Sequence, residues 1–376
     1  LQTVCGRCRR ERPLLSGPDT PPSHPAAAAD IDGNRRAPDV RDAPDDENDE
    51  DAALAFRHLG PDRLLDAIDA AGWLTDGRVA ALNSYENRVY SVGLESGEFA
   101  VAKFYRPGRW SDESILEEHD FCAELVERDL PAVAPLANPD GETLFHAGPH
   151  RLALFPRVGG RPPELDDPEH LGVIGRTLGR LHLVGAMHDF EDRPCVDLDR
   201  LGEEPSGFLL DSPLLPDALV EVYGALTDEL LDLIADRIET VDAAAIRVHG
   251  DFHPGNLLIG GDGTPWLLDF DDAGTGPAVQ DLWMFLPGER ADAQSNLGHL
   301  LEGYFEFRDF DRRELALIEP LRTLRIIHHA AWIARRWDDP AFRLGFPQFA
   351  EARFWDDHVL TLREQRAALD QEPLRY

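Results

Sequence analysis

Asp251, Asn256 and Asp269 carry the clearest chemical signal in this chain of 376 residues. They lie in Val248-His-Gly-Asp-Phe-His-Pro-Gly-Asn-Leu-Leu-Ile259 and Trp266-Leu-Leu-Asp-Phe-Asp-Asp272. Two apolar runs, 257–259 and 266–268, are joined by Gly260-Gly-Asp-Gly263 and predict a hairpin. Such a hairpin sets Asn256 and Asp269 at one end, as paired oxygen ligands for a hard cation. Mg²⁺ needs few protein oxygens when nucleotide phosphates complete its shell. Asp251, before the hairpin, is left to orient a hydroxyl or take its proton.

A cation to meet those phosphates is also present. Lys103, the only lysine, stands at the end of the strand pattern Glu98-Phe-Ala-Val-Ala-Lys-Phe-Tyr105, while arginine supplies the remainder of the 37 basic residues. A compact ammonium kept inside a strand suits contact with phosphate, where a planar guanidinium does not substitute freely. Its partner is sought in the following helix, at Glu117 or Glu118. Glu118 shares a face with Phe121, Cys122 and Leu125 and is the preferred ion-pair partner.

The elements that must position these groups are read from pattern. A short helix is expected from Pro61 to Ala71, with Leu64, Leu65 and Ile68 on one face. Arg88–Leu94 and Glu98–Tyr105 form a hairpin around Glu95-Ser-Gly97, and a helix runs from about Ser111 to Arg128 with acidic residues in its first turn. Strands come next around Thr143-Leu-Phe and Arg151–Phe155. From Pro168 the period becomes helical (Leu171, Ile174, Leu178, Leu181), a second helix spans about Asp217–Ile238, and 278 to about 370 is almost wholly helical. The fold class is α+β, with a mostly β lobe over 52–157, a mostly α lobe over 158–376 and a hinge at about 154–160.

Composition bounds the rest. Residues 1–51, with their Pro pairs and Asp45-Asp-Glu-Asn-Asp-Glu-Asp51, read as a disordered acidic tail. Cys5 and Cys8 form a lone Cys-x-x-Cys without a second pair to complete a zinc site, and with Cys122 and Cys195 they make no disulfide framework. No apolar run approaches a membrane span or an export leader, so a cytoplasmic, monomeric protein is expected. A net charge of -34 opposes binding to nucleic acid or anionic membranes, and such diffuse acidity with almost no lysine suggests a salty cytoplasm.

His249-Gly-Asp-Phe-His-Pro-Gly-Asn256 resembles the catalytic loop of the aminoglycoside and choline phosphotransferase branch of the protein-kinase-like superfamily, His-Gly-Asp-x-His-x-x-Asn. A closer resemblance is to the bacterial stress response kinase A family of Ser/Thr protein kinases. It is carried by Leu82–Tyr90, Phe104–Trp110, Ile115–Phe121, Leu154–Gly160 and Gly276–Trp283, in order through both lobes. The resemblance implies a bilobal kinase-like fold, with Asp251, Lys103, Glu118 and Asp269 catalytic and Asn256 and Asp269 on metal. ATP and Mg²⁺ are the implied cofactors, and a Ser/Thr-bearing protein is the implied partner.

The chain has no Gly-x-Gly-x-x-Gly between its first strands. Ser84-Tyr-Glu-Asn87 occupies that turn, where Ser84 and Asn87 are expected near phosphate, and Leu154, Phe155 and Pro156 are expected to offer backbone to adenine. His249 and His253 are read as braces of the loop, and Asp281 as a residue that binds loop backbone from beneath. Asp271 and Asp272 are read as turn residues or indirect supports of metal. His182 and Met187 receive no role, and His328-His329 reads as one core and one surface residue. A small-molecule alcohol kinase of the same fold is the alternative; a nucleotide-binding pseudokinase is disfavoured, because no expected catalytic residue is missing.

Overall fold

A computed structural model describes Phe56 and residues 59–376; the expectations for residues 1–51 and for Cys5 and Cys8 lie outside the described residues. Helix α1 (Pro61–Ala70) starts on Pro61, whose fixed φ suits a first helical position, and buries Leu64, Ala67 and Ile68. It packs on an antiparallel sheet built from β1 (Thr75–Ala81), β2 (Arg88–Leu94), β3 (Phe99–Tyr105), β4 (Phe145–Ala147) and β5 (His150–Pro156), in the order β1-β2-β3-β5-β4.

The two-residue period of β3 sorts its side chains between the two faces of the sheet. Ala100, Ala102 and Phe104 face the apolar cluster of α1, so Val101, Lys103 and Tyr105 face the opposite way. Lys103 pairs with Val89 on β2 and Ala153 on β5, in the middle of the sheet. Against that face lies α2 (Asp112–Glu127), where the Ser111 side chain accepts the Ser114 amide as an N-cap. Its buried stripe of Ile115, Glu118, Phe121, Cys122 and Leu125 carries one charged residue, Glu118, into the interior.

The second lobe is helical. Helix α3 (Pro168–Gly185) buries Leu171, Ile174, Leu178 and Leu181, and crosses α6 (Arg290–Tyr304) so closely that a Cβ on Gly175 would collide with the Leu300 carbonyl. Helices α4 (Glu204–Asp211), α5 (Asp217–Val241), α7 (Ile318–Arg335), α8 (Pro340–Gly345) and α9 (Ala352–Leu369) enclose a second core. Between the lobes lie two small ribbons, β6 (Ile246–Val248) with β9 (Gly274–Gly276) and the hairpin β7 (Leu257–Ile259) with β8 (Pro265–Leu267). The segment after α2 reaches the hairpin directly, through the Val133 amide on the Leu267 carbonyl at 2.9 Å.

The fold is thus the expected α+β arrangement of a β lobe and a helical lobe. Two details differ from the sequence reading: β1 was not anticipated, and Cys195 is disulfide-bonded. Among the described residues, no helix is long and apolar enough to cross a membrane.

Candidate active site

The loop after β6 is held from below. Asp281 accepts the His249 amide at 2.7 Å and the Gly250 amide at 2.8 Å, while Gln280 donates to the Gly250 carbonyl at 2.7 Å. Gly250 has φ 84, and a Cβ there would strike the Asp272 carbonyl, so no other residue fits. The His249 ring bonds the Leu268 carbonyl at 2.8 Å, tying this loop to the hairpin. His249 and Asp281 therefore act as the braces expected of them.

Asn256 and Asp269 stand at the same end of that hairpin, joined by the Leu268 amide on the Asn256 carbonyl at 3.0 Å. The Asn256 Nδ2 donates to the Asp251 carbonyl at 2.9 Å, which leaves its Oδ1 to accept or to ligate. Asp269 occupies the left-handed region at φ 55, and its side chain is 56% exposed. One amide oxygen and one accessible carboxylate suit a hard cation whose other ligands are phosphate and water. Among the described residues, no cluster of three His, Cys, Asp or Glu side chains is placed to hold a metal alone.

Lys103 is 6% exposed and faces three carboxylates. Its Nζ lies 3.3 Å from Glu118, 3.2 Å from Asp269 and 2.8 Å from Asp271. Burial alone would push the ammonium down, but Asp271, Glu118 and Asp269 hold it well above the usual lysine range. Burial raises the Glu118 carboxyl, with Lys103 opposing. Burial would also raise Asp271, yet Arg109 and Lys103 keep it below the ordinary value. Arg109 also meets Asp271, and Arg193 lies 3.8 Å from Glu118, so Asp269 is the accessible carboxylate of the three and the one open to a divalent cation.

The Glu117 alternative is resolved by helix phase. Its carboxylate points away from Lys103 and accepts the amides of Glu191, Asp192 and Arg193 at 2.5, 2.7 and 2.8 Å. The sequence reading missed Arg109. It bonds both Asp271 and Asp272, joining the β lobe to the turn after Asp269. Asp271 is therefore a buried ion-pair residue, not a simple turn residue.

These groups line one cavity of about 920 Å³ between the lobes. Several expected contacts change there. Leu154 is fully buried in the α1 cluster and its carbonyl already accepts the Leu136 amide at 2.6 Å; Phe155 and Pro156 border the cavity instead. Ser84 and Asn87 do line it, but their side chains are engaged in shaping the turn. Ser84 Oγ donates to the Asn87 carbonyl at 3.0 Å, and Asn87 Oδ1 accepts the Arg106 amide at 3.0 Å. The turn therefore offers backbone more than side chains.

The turn is also fastened to the helical lobe. Glu86 accepts from Trp332 at 2.5 Å and from Arg336 at 2.8 Å, Arg88 pairs with Asp339 at 3.0 Å, and the rings of Tyr85 and Phe346 lie 5.0 Å apart. His328 and His329 both face this cavity, contrary to their reading as a core and surface pair. With Leu321, Arg325 and Trp332 they form one stripe of α7. Burial holds His328 down at about 3, with Arg200 adding to the effect, so it is neutral at ordinary pH.

A bilobal fold with this cleft defines a phosphotransferase, and the sequence matches the phosphotransferase enzyme family over residues 78–318. The fold aligns with amicoumacin kinase hAmiN in complex with AMP-PNP, Ca²⁺ and Ami at a TM-score of 0.64 and 21% identity, covering 83% of this chain and 95% of that one. A microcompartment-associated aminopropanol kinase aligns with the same TM-score at 18% identity, over 83% and 99% of the two chains.

Sequence relatives are nearer. Serine/threonine protein kinase RdoA of Salmonella typhimurium is 42% identical over 326 residues, 86% of this chain and 98% of that one. Stress response kinase A of Escherichia coli is 41% identical over 324 residues, with the same coverage. The chain belongs to the stress response kinase A family.

Proposed function

We propose that this protein is an ATP- and Mg²⁺-dependent kinase that phosphorylates Ser or Thr hydroxyls of proteins in a stress response. The observation that carries the reading is the convergence of Asp251, Asn256, Asp269 and Lys103 on one cleft, in a chain 42% identical to a relative named as a Ser/Thr protein kinase.

In this reading Asn256 and Asp269 hold Mg²⁺, which supplies charge neutralisation on the phosphates. Lys103, oriented by Glu118, meets the nucleotide phosphates from the sheet. Phe155 and Pro156 border the adenine end, and the backbone of Ser84–Asn87 covers the phosphates. Asp251 receives the acceptor hydroxyl and takes its proton as the new O–P bond forms. Phosphoryl transfer asks mainly for positioning and charge stabilisation, which this set provides. His253 takes no part as a base: its Nδ1 accepts the Gly255 amide, and burial holds its pKa down.

A small-molecule acceptor is favoured by one observation, the fastening of the Ser84–Asn87 turn to α7, which ties the two lobes together beside the cleft. Cationic alcohols are disfavoured by another, because the α7 side of Asp251 presents Arg325 and not a carboxylate.

The test is transfer of labelled phosphate from ATP to a Ser/Thr peptide library and to a panel of small alcohols. Asp251→Ala is expected to abolish transfer while nucleotide affinity stays nearly unchanged. Equal turnover by that variant would remove the mechanism, and labelling of alcohols alone would remove the protein acceptor.

A further inference from the structure

The cations around the cleft differ in how fully they are committed. Lys103 is surrounded by Glu118, Asp269 and Asp271. Arg109 is held between Asp271 and Asp272, and Arg336 is spent on Glu86. Arg200 meets Asp272 at 3.9 Å and Arg157 lies over the Phe99 ring. Arg325 differs from all of these by reaching Asp251. Its Nη1 lies 2.5 Å from Oδ1 of Asp251, its single carboxylate partner among the described residues, and its side chain is 42% exposed. A guanidinium carries five N–H donors, so most of its capacity faces the cleft.

Its position is set by the fold. Arg325 projects from α7 on the stripe shared with Leu321, His328, His329 and Trp332, and reaches Asp251 from the acceptor side. Lys103 lies on the opposite side, beneath the sheet. Position 253, two residues after Asp251, holds a histidine that is kept neutral, so the catalytic loop itself brings no cation to the reaction. A phosphoryl group moving from nucleotide to hydroxyl leaves the neighbourhood of Lys103 and approaches Asp251. A positive charge is needed where it arrives.

We infer that Arg325 is a catalytic residue, which holds Asp251 through one N–H and donates to the oxygens of the transferring phosphoryl group through others. The inference rests on the kinase reading above. In the step, the acceptor oxygen forms a bond to the γ-phosphorus, and the bond from that phosphorus to the β-bridging oxygen breaks. The hydroxyl proton passes to Asp251, and ADP leaves with the electron pair. Arg325 exchanges no proton; it offsets charge on the equatorial oxygens, as an arginine supplied in cis does in other phosphoryl-transfer sites. An acceptor-holding role would instead affect only transfer to that acceptor.

The experiment compares the wild-type chain with Arg325→Ala and Arg325→Lys. It reads three quantities: hydrolysis of Mg·ATP with water as acceptor, labelled-phosphate transfer to a Ser/Thr peptide library, and affinity for a fluorescent ATP analogue. Arg325→Ala is expected to lose about 10²- to 10³-fold in kcat for both hydrolysis and transfer. Nucleotide affinity should stay within about threefold. Arg325→Lys should recover part of the loss, and added guanidinium should raise the activity of Arg325→Ala but not that of Asp251→Ala.

If Arg325→Ala hydrolyses ATP at the wild-type rate, the inference is overturned, whether or not peptide transfer is lost. If Arg325→Ala fails to fold, Arg325→Lys decides, since a lysine that restores folding but behaves as wild type in both assays overturns it as well. An inactive wild type removes the kinase reading and this one together. An active wild type with a dead Asp251→Ala and an active Arg325→Ala removes only this one.

Discussion

His182 Nε2 stands 3.1 Å from Oδ2 of Asp281, and both side chains are completely buried. The contact links a helix of the C-terminal lobe to the carboxylate beneath the His249–Asn256 loop. Tyr304, 3.0 Å from the other ring nitrogen, fixes the imidazole. Burial lowers the His182 pKa, with Asp281 opposing, so the ring is neutral and donates one N–H to Asp281.

Asp281→Ala should therefore be costly. It leaves the His249 and Gly250 amides without acceptors in a closed interior, a loss of about 1–3 kcal/mol for each unpaired group. His182→Gln should be milder, since an amide can still donate to Asp281. Denaturant melts rank the two variants, and ATP turnover is expected to fall in the same order. Equal stability of Asp281→Ala and wild type would show that the loop is held elsewhere.

The clamp on the Ser84–Asn87 turn, proposed above to cover the phosphates, predicts an effect on binding. Glu86 is held by Trp332, Arg336 and Arg106, at 2.5, 2.8 and 3.2 Å. Glu86→Ala frees the turn and takes their carboxylate acceptor from Trp332 and Arg336, while Arg106 keeps the Glu86 main-chain carbonyl and Asp339. Nucleotide affinity is expected to weaken about tenfold, equivalent to about 1.4 kcal/mol. Calorimetric titration with Mg·ATP checks this. An unchanged affinity would mean that the turn keeps its shape through Ser84 and Asn87 alone.

Burial of histidines sets a pH dependence. His358 is 7% exposed, stacks on Tyr223 and Phe354, and burial holds it down at about 4. The unfolded chain takes up its proton near the ordinary histidine value of about 6.5, while the folded chain resists until about 4. Between those values the unfolded state binds more protons, so this residue costs stability as pH falls, by about 1.4 kcal/mol per pH unit. Glu314 works the other way, because burial raises it to about 7 and its protonation favours the folded state below that value. His358→Phe should therefore match wild type near pH 7.5 and exceed it increasingly towards pH 5. Melts across that range decide, and parallel curves for the two proteins would remove the claim.

How much of this was legible in the sequence depends on which signal each residue left. The α2 stripe and the hairpin ends were readable because apolar periodicity and a glycine turn mark them locally. The same stripe separated Glu118 from Glu117. Strand β1 left no such mark: Thr75–Ala81 has no buried residue and lies at the sheet edge. The α7 face was hidden for another reason. Leu321, Arg325, His328, His329 and Trp332 share a helical spacing, but the stripe is mostly polar, and periodicity read on apolar residues alone passes over it. Arg109 and Arg325 were two arginines among many, and only tertiary placement distinguishes them. Leu154 lies in the hinge by sequence, but its carbonyl accepts the Leu136 amide, a contact that tertiary placement alone reveals.

The single lysine provides the most demanding test. Lys103 has three carboxylates within 3.3 Å and little room, since Val89 and Ala153 flank it on the neighbouring strands. Lys103→Arg preserves the charge but replaces a compact ammonium with a longer planar group. It should retain most stability, yet kcat/KM for ATP is expected to fall by at least about 100-fold. Lys103→Ala differs in kind: it removes the nearest cation from buried Glu118, which keeps only Arg193 at 3.8 Å, and should cost up to about 3–5 kcal/mol besides activity. Steady-state kinetics on both variants, paired with denaturant melts, separate geometry from charge. Wild-type turnover by Lys103→Arg would mean that the site needs only a positive charge, and the retention of one lysine in an arginine-rich chain would then owe nothing to phosphate contact.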